Sequence, residues 1–103
     1  MNVIWNTWAE EEMLQTADYI ETQYGENAKE KFFEEVFHIA ELLGKNPHLG
    51  KVEPLLATAP VMYRSLVVNS LNKIIYYVNG NAIEIVDFWD TRREPRAQAV
   101  QVK

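Results

Sequence analysis

The chain has no cysteine among its 103 residues, which excludes disulfides, thiolate metal sites and a cysteine nucleophile before any pattern is read. Histidine is nearly as scarce: His38 and His48 are the only two, and neither stands at ligand spacing from the other, so no metal centre is expected. Glu10, Glu11 and Glu12 interrupt the N-terminus before a run of signal-peptide length can form. No later run approaches the roughly 18 apolar residues of a membrane span, so the reading is of a soluble, cytoplasmic protein. With 48% hydrophobic and 24% charged residues, residues 1–103 suit one compact domain and leave no room for a second.

Positive charge is also in short supply, and it is unevenly spread. Residues 1–60 carry four Lys/Arg against eleven Asp/Glu, giving -7, whereas residues 61–103 carry six against four, giving +2; together these make the net -5. Nucleic-acid binders usually show a broad basic face, because phosphate neutralisation supplies most of their affinity. An acidic chain argues against such a footprint but allows a small local one. The densest group of cations is in "DFWDTRREPRAQ", residues 87–98, where Arg92, Arg93 and Arg96 follow an aromatic, acidic strand end.

Val3, Ile4 and Trp5 suit a short first strand, and Thr7 with Glu10 reads as a capping box that starts a helix. Ala9, Met13, Ala17, Ile20 and Tyr24 recur at three and four, making one apolar stripe that Gly25 ends. Asn27 with Glu30 repeats the capping signal. A second amphipathic helix then carries Phe32, Phe33, Val36, Ile39, Ala40 and Leu43 and closes at Gly44. Two helices joined by about three residues read as an antiparallel hairpin.

Residues 44–60, rich in glycine and proline, read as a long loop. Three β-rich runs follow, "VMYRSLVV", "NKIIYYV" and "AIEIVDFW". Asn69 and Ser70 mark the first turn between them, and Asn79-Gly80 marks a type I′ hairpin at the second. The order β-α-α-β-β-β predicts an α+β fold in which a helical hairpin packs on an antiparallel sheet.

Several candidate motifs fail on chemistry. "GKNPHLGK" has five residues between its glycines, Val52 where a phosphate-binding loop needs a hydroxyl, and a helix rather than a strand before it, so no nucleotide cofactor is expected. His38 lies on the charged side of the second helix, and His48 is a lone loop histidine. Ser65 and Ser70 have no histidine placed as a base. Arg64, in the middle of a predicted strand, must face water or find an anion. It pairs across strands with Glu84 or Asp87, or it joins Lys73 and the later arginines on the uncovered sheet surface as a cradle for phosphate or carboxylate. Of Phe88 and Trp89, alternation sends one into the core and leaves the other near the arginines. The ending "AQAVQVK" suits a short tail that adds to an edge or awaits a partner.

Taken in order, "VIWNTWAEEEMLQTADYIE", "NPHLGKVEP", "YRSLVV", "NKIIYYV" and "VDFWDTRREP" resemble the RelE/ParE superfamily of bacterial toxins, from type II toxin-antitoxin modules also labelled plasmid stabilisation proteins. The resemblance spans essentially the whole chain. It implies the fold above, growth inhibition, and neutralisation by a cognate antitoxin. RelE-like members cut messenger RNA on the ribosome, where a 2′-hydroxyl attacks the adjacent phosphate while Arg, Lys, Tyr or His groups move protons and stabilise the phosphorane. For that chemistry Arg64, Arg92 and Arg93 are the catalytic candidates, but the chain has no histidine or further aromatic after Trp89. ParE-like members bind DNA gyrase instead. The ending "TRREP" resembles theirs, and an acidic chain with a small cationic patch suits a protein target, so the reading leans to the binding class. Its partner-binding set is Arg64, Lys73, Trp89, Asp90, Arg92, Arg93 and Arg96. A relative that keeps the fold without the activity is the third reading.

Overall fold

A computed structural model describes residues 1–56 and 60–90. Strand β1 (Asn2–Trp5) leads into helices α1 (Thr7–Tyr24) and α2 (Glu26–Lys45); then come β2 (Lys51–Val52), a 3-10 turn (Pro54–Leu56), β3 (Arg64–Val67), β4 (Asn72–Asn79) and β5 (Ala82–Asp90). The strands form one sheet in the order β1-β5-β4-β3-β2. The helical hairpin covers one face of this sheet, so the α+β layering follows the sequence reading. The sheet itself is mixed: β2 to β5 pair antiparallel, but β1 lies parallel to β5.

The helix boundaries differ from the sequence signals in instructive ways. The cap of α1 is Asn6, whose side-chain oxygen accepts the Ala9 N–H at 2.8 Å, so Thr7 is already helical. Gly25 is the sole joint between the helices, and Asn27 falls inside α2, which starts without a side-chain cap. Gly44 does not stop α2, which continues to Lys45. A Cβ there would come within 3.1 Å of the Met1 carbonyl, so this glycine lets the helix lie close against the first strand.

Ala9, Met13 and Ala17 of α1 and Phe32, Val36 and Leu43 of α2 pack on Ile74, Tyr76, Ile83, Ile85 and Phe88 of the sheet. Phe88 stands edge-on to Phe32, with ring centroids 5.8 Å apart. Each fully buried Ile, Leu, Val, Met or Phe among them contributes roughly 1.5–3 kcal/mol by leaving water. The α1 stripe does not hold to its end, because Tyr24 is 73% exposed. On the opposite face Leu56, Tyr63 and Ile75 make a smaller cluster with Tyr77 and Val86.

The strand register decides which side chains meet. Tyr76 stands opposite Ile85 but Ile75 stands opposite Asp87, so Val86 is an extra residue and β5 bulges. The bulge returns Phe88 to the helix-covered face after Ile85, which strict alternation would not allow. The hairpin from β4 to β5 turns on Gly80 and Asn81, between the paired Asn79 and Ala82. Among the described residues only glycines have positive φ, and Gly80 at +62° begins this turn, the pattern of type II′ rather than the I′ expected.

Candidate functional site

Arg64 begins β3, opposite Tyr76 on one side and Val52 on the other. Its Nη1 donates to the Gly50 carbonyl at 2.8 Å. The Tyr76 hydroxyl accepts the Gly50 N–H at 2.9 Å and donates to the Pro47 carbonyl at 2.8 Å. The loop after α2, read as a failed phosphate loop, is therefore stapled to the sheet from both sides. A Cβ on Gly50 would sit 2.6 Å from the Ser65 carbonyl and 2.8 Å from the Tyr76 ring, so only glycine fits. Burial raises the Tyr76 phenol above its usual range, against smaller opposing pulls from the Gly50 hydrogen bond and the Arg64 charge. It stays protonated and committed at neutral pH.

Tyr76 is the residue that sequence reasoning missed. It is the described tyrosine that stands beside an arginine as RNA-cleavage chemistry would require, but its core position hides it in an apolar run, and its hydroxyl is spent on the loop.

Lys73 does not join Arg64. Arg64 shares its side of the ladder with Tyr76 and Ile74, under the helices, whereas Lys73 stands opposite Val67 with Ile75 and Tyr77 on the other face. Its Nζ lies 3.0 Å from Glu53 Oε2, and that carboxylate is 3% exposed. The expected cradle of Arg64 and Lys73 on one wet surface is not formed.

Neither is the alternative pairing of Arg64 with Glu84 or Asp87. Glu84 accepts from Asn79 at 2.7 Å and from Tyr77 at 2.9 Å, and these two bonds hold its carboxyl below the usual range, Asn79 contributing most. Asp87 is fully buried and accepts the Trp8 indole N–H at 3.1 Å.

At the far end of β5, Phe88 and Trp89 are both buried, at 1% and 2% exposure, so neither is left at the surface as alternation suggested. Trp89 stands opposite Lys73, and Asp90 opposite Asn72. Arg92, Arg93, Arg96 and the ending "AQAVQVK" lie outside the described residues. Beside Asp90 opens a groove of about 480 Å³, walled by Glu12, Thr16, Tyr19 and Ile20 of α1 and by Leu71 before β4. Among the described residues no group of three or more His, Asp or Glu is placed to hold a metal ion, and no helix is long and apolar enough to cross a membrane.

Two solved structures share this architecture. A chain of the chromosomal ParDE toxin-antitoxin system from P. aeruginosa superposes with a TM-score of 0.72 at 18% identity, covering 87% of this chain and 95% of that one. The YoeB dimer from Staphylococcus aureus gives 0.55 at 20% identity, covering 84% and 92%. At these identities the likeness speaks for the fold. No curated protein sequence matches the chain. The model of the family described as "ParE toxin of type II toxin-antitoxin system, parDE" matches residues 3–95, nearly the whole domain including both helices and all five strands, and the chain belongs to that toxin family.

Proposed function

We propose that this toxin arrests growth by binding a protein target, DNA gyrase, rather than by cutting messenger RNA. Cleavage needs a base for the 2′-hydroxyl, an acid for the leaving oxygen and a cation for the phosphorane, all gathered on one phosphate. The observation that carries the binding reading is the dispersal of those groups. Arg64 and Tyr76 are engaged in stapling the loop at Gly50, Lys73 is paired to Glu53 on the opposite face, and His38 and His48 are exposed on separate elements. No described set of proton carriers converges.

In this reading the target-binding cations are Arg92, Arg93 and Arg96, which follow Asp90 at the end of β5. Trp89 and Asp90 support that end, and Trp89 acts from within the fold. Guanidinium groups suit a carboxylate-rich protein surface because their planar donors bind it in pairs. A cognate antitoxin, as in the ParDE system of the P. aeruginosa relative, is the natural partner that silences the toxin.

Purified protein tested side by side for inhibition of gyrase supercoiling and for ribosome-dependent cleavage of mRNA separates the classes. Supercoiling should fall while mRNA stays intact. Cleavage with unaffected supercoiling would reverse the reading in favour of the RelE-like endoribonuclease, with Arg64, Arg92 and Arg93 as its catalytic candidates. Loss of neither activity's substrate would indicate an inactive relative.

A further inference from the structure

Eight asparagines are spread along the chain, and Asn79 alone is followed by glycine. A backbone nitrogen that follows asparagine can close a five-membered ring on the asparagine carboxamide, and glycine has no side chain to shield it. The other seven are followed by Val, Thr, Ala, Pro, Ser, Lys and Ala, whose side chains crowd that approach, and proline has no N–H at all.

The fold sets this pair where water reaches it. Asn79 ends β4 and is exposed, and Gly80 begins the turn into β5; among the described residues nothing lies within 4 Å of where a Gly80 Cβ would stand. Two restraints act against ring closure. The backbone of Asn79 pairs with Ala82 in the last rung of the ladder, and its carboxamide nitrogen donates to Glu84 Oε2 at 2.7 Å. Glu84 stands opposite Tyr77, two residues back along β4, so this bond draws the carboxamide away from Gly80. Both restraints sit at an exposed hairpin end, where local opening costs little. Asn69, in the preceding turn, is held twice: its side-chain oxygen accepts the N–H groups of Leu71 at 2.8 Å and Asn72 at 3.0 Å.

We propose that Asn79 is a site of spontaneous deamidation, with Glu84 as its restraint. The Gly80 nitrogen, after losing its proton to hydroxide, attacks Asn79 Cγ. The carboxamide nitrogen leaves as ammonia with a proton from water, which restores the hydroxide, and a succinimide remains. Water then opens the ring at either carbonyl. Breaking the bond from nitrogen to Cγ gives aspartate in an unaltered backbone, whereas breaking the bond to the main-chain carbonyl carbon gives isoaspartate, with one extra methylene in the chain path. Aspartate puts a carboxylate where an amide donor stood 2.7 Å from Glu84, and isoaspartate lengthens β4 at its last paired residue. Either product loosens the hairpin end with no partner taking part, so the proposal is independent of the target.

Purified full chain, incubated folded at mildly alkaline pH and then mapped by peptide mass spectrometry, reads each asparagine separately. Asn79 should convert first, with aspartate and isoaspartate both present. Glu84→Ala should speed that conversion about fivefold, the factor that one net hydrogen bond of ordinary strength represents. Tyr77→Phe removes the other donor to the same carboxylate and should change the rate little, which controls for loosened hairpin packing. Conversion of another asparagine ahead of Asn79, or an Asn79 that stays intact in the folded chain, would overturn the proposal. A rate that Glu84→Ala leaves unchanged, or that Tyr77→Phe raises equally, would remove Glu84 as the restraint.

Discussion

Beneath the helices, the sheet presents Ile74, Tyr76, Ile83, Ile85 and Phe88 to an apolar layer drawn from two long elements, whereas its opposite face gathers only Leu56, Tyr63 and Ile75 into a cluster. That second face is completed by polar bonds: Lys73 to Glu53, and Tyr77 and Asn79 to Glu84. The difference teaches where cations in a small acidic toxin are spent. A face with a deep apolar layer needs no charge to hold it, but a shallow one recruits lysine and glutamate as structure. Charged residues in its strands are therefore poor markers of function. Arg64 follows the same economy at the rim of the covered face, where it holds the Gly50 carbonyl.

Substitutions can break or sharpen this contrast. Phe88→Ala, at the centre of the covered face, should cost about 3–5 kcal/mol in urea denaturation, because the cavity faces both Phe32 and Trp5 and cannot collapse. On the polar face, Lys73→Met should cost about 3 kcal/mol by removing the ammonium group paired with the buried Glu53 carboxylate, and the double change Lys73→Met with Glu53→Leu should recover most of it. Equal losses in the single and double variants would show that the ion pair is not what holds that face. At the rim, Arg64→Ala should remove about 1.5–3 kcal/mol, the value of a hydrogen bond from a charged donor, while leaving gyrase inhibition intact in protein that remains folded. Abolished toxicity in folded Arg64→Ala would return this residue to the mechanism.

Among the cations after Asp90, Arg92→Ala combined with Arg93→Ala should relieve growth arrest on expression without antitoxin. Undiminished arrest would remove the pair from the target surface. The smallest effect concerns Glu84. Its carboxyl is held below the ordinary value of 4.5, so the stabilisation is complete above that value and fades as pH falls through the lower value of the folded state. Glu84→Gln should flatten this part of the acid limb of a stability-against-pH curve, and an unchanged limb would assign the effect to other carboxylates.

The helices and the last three strands were legible because their signals are periodic and local. Apolar recurrence at three and four marks Ala9, Met13 and Ala17 just as it marks Phe32, Val36 and Leu43. Helix ends were less legible, since Asn6 and Thr7 carry equivalent capping chemistry and only the geometry shows which oxygen receives the Ala9 N–H. Strand β2 escaped notice because two residues, Lys51 and Val52, are too short for a period. The bulge at Val86 escaped because alternation assumes that no residue is added; beyond it Phe88 and Trp89 still alternate, opposite Ile74 and Lys73, yet both are buried, and burial on both sides of the strand end is not a signal that alternation carries.

The sequence by itself determined the inventory: two amphipathic helices, a run of sheet strands, no thiol chemistry, and cations concentrated after residue 60. Where those cations point was decided by tertiary structure. A two-residue turn at Asn69 and Ser70 would have set Arg64 opposite Ile75, placing it on the same face as Lys73. The observed ladder instead pairs Arg64 with Tyr76 and Val67 with Lys73, a register one residue longer. Because side chains alternate with a period of two, that single residue sends the two cations to opposite sides of the sheet. The longer turn is held by Asn69, whose side-chain oxygen accepts the N–H groups of Leu71 and Asn72, and the residue types alone do not announce which of the two lengths that contact selects.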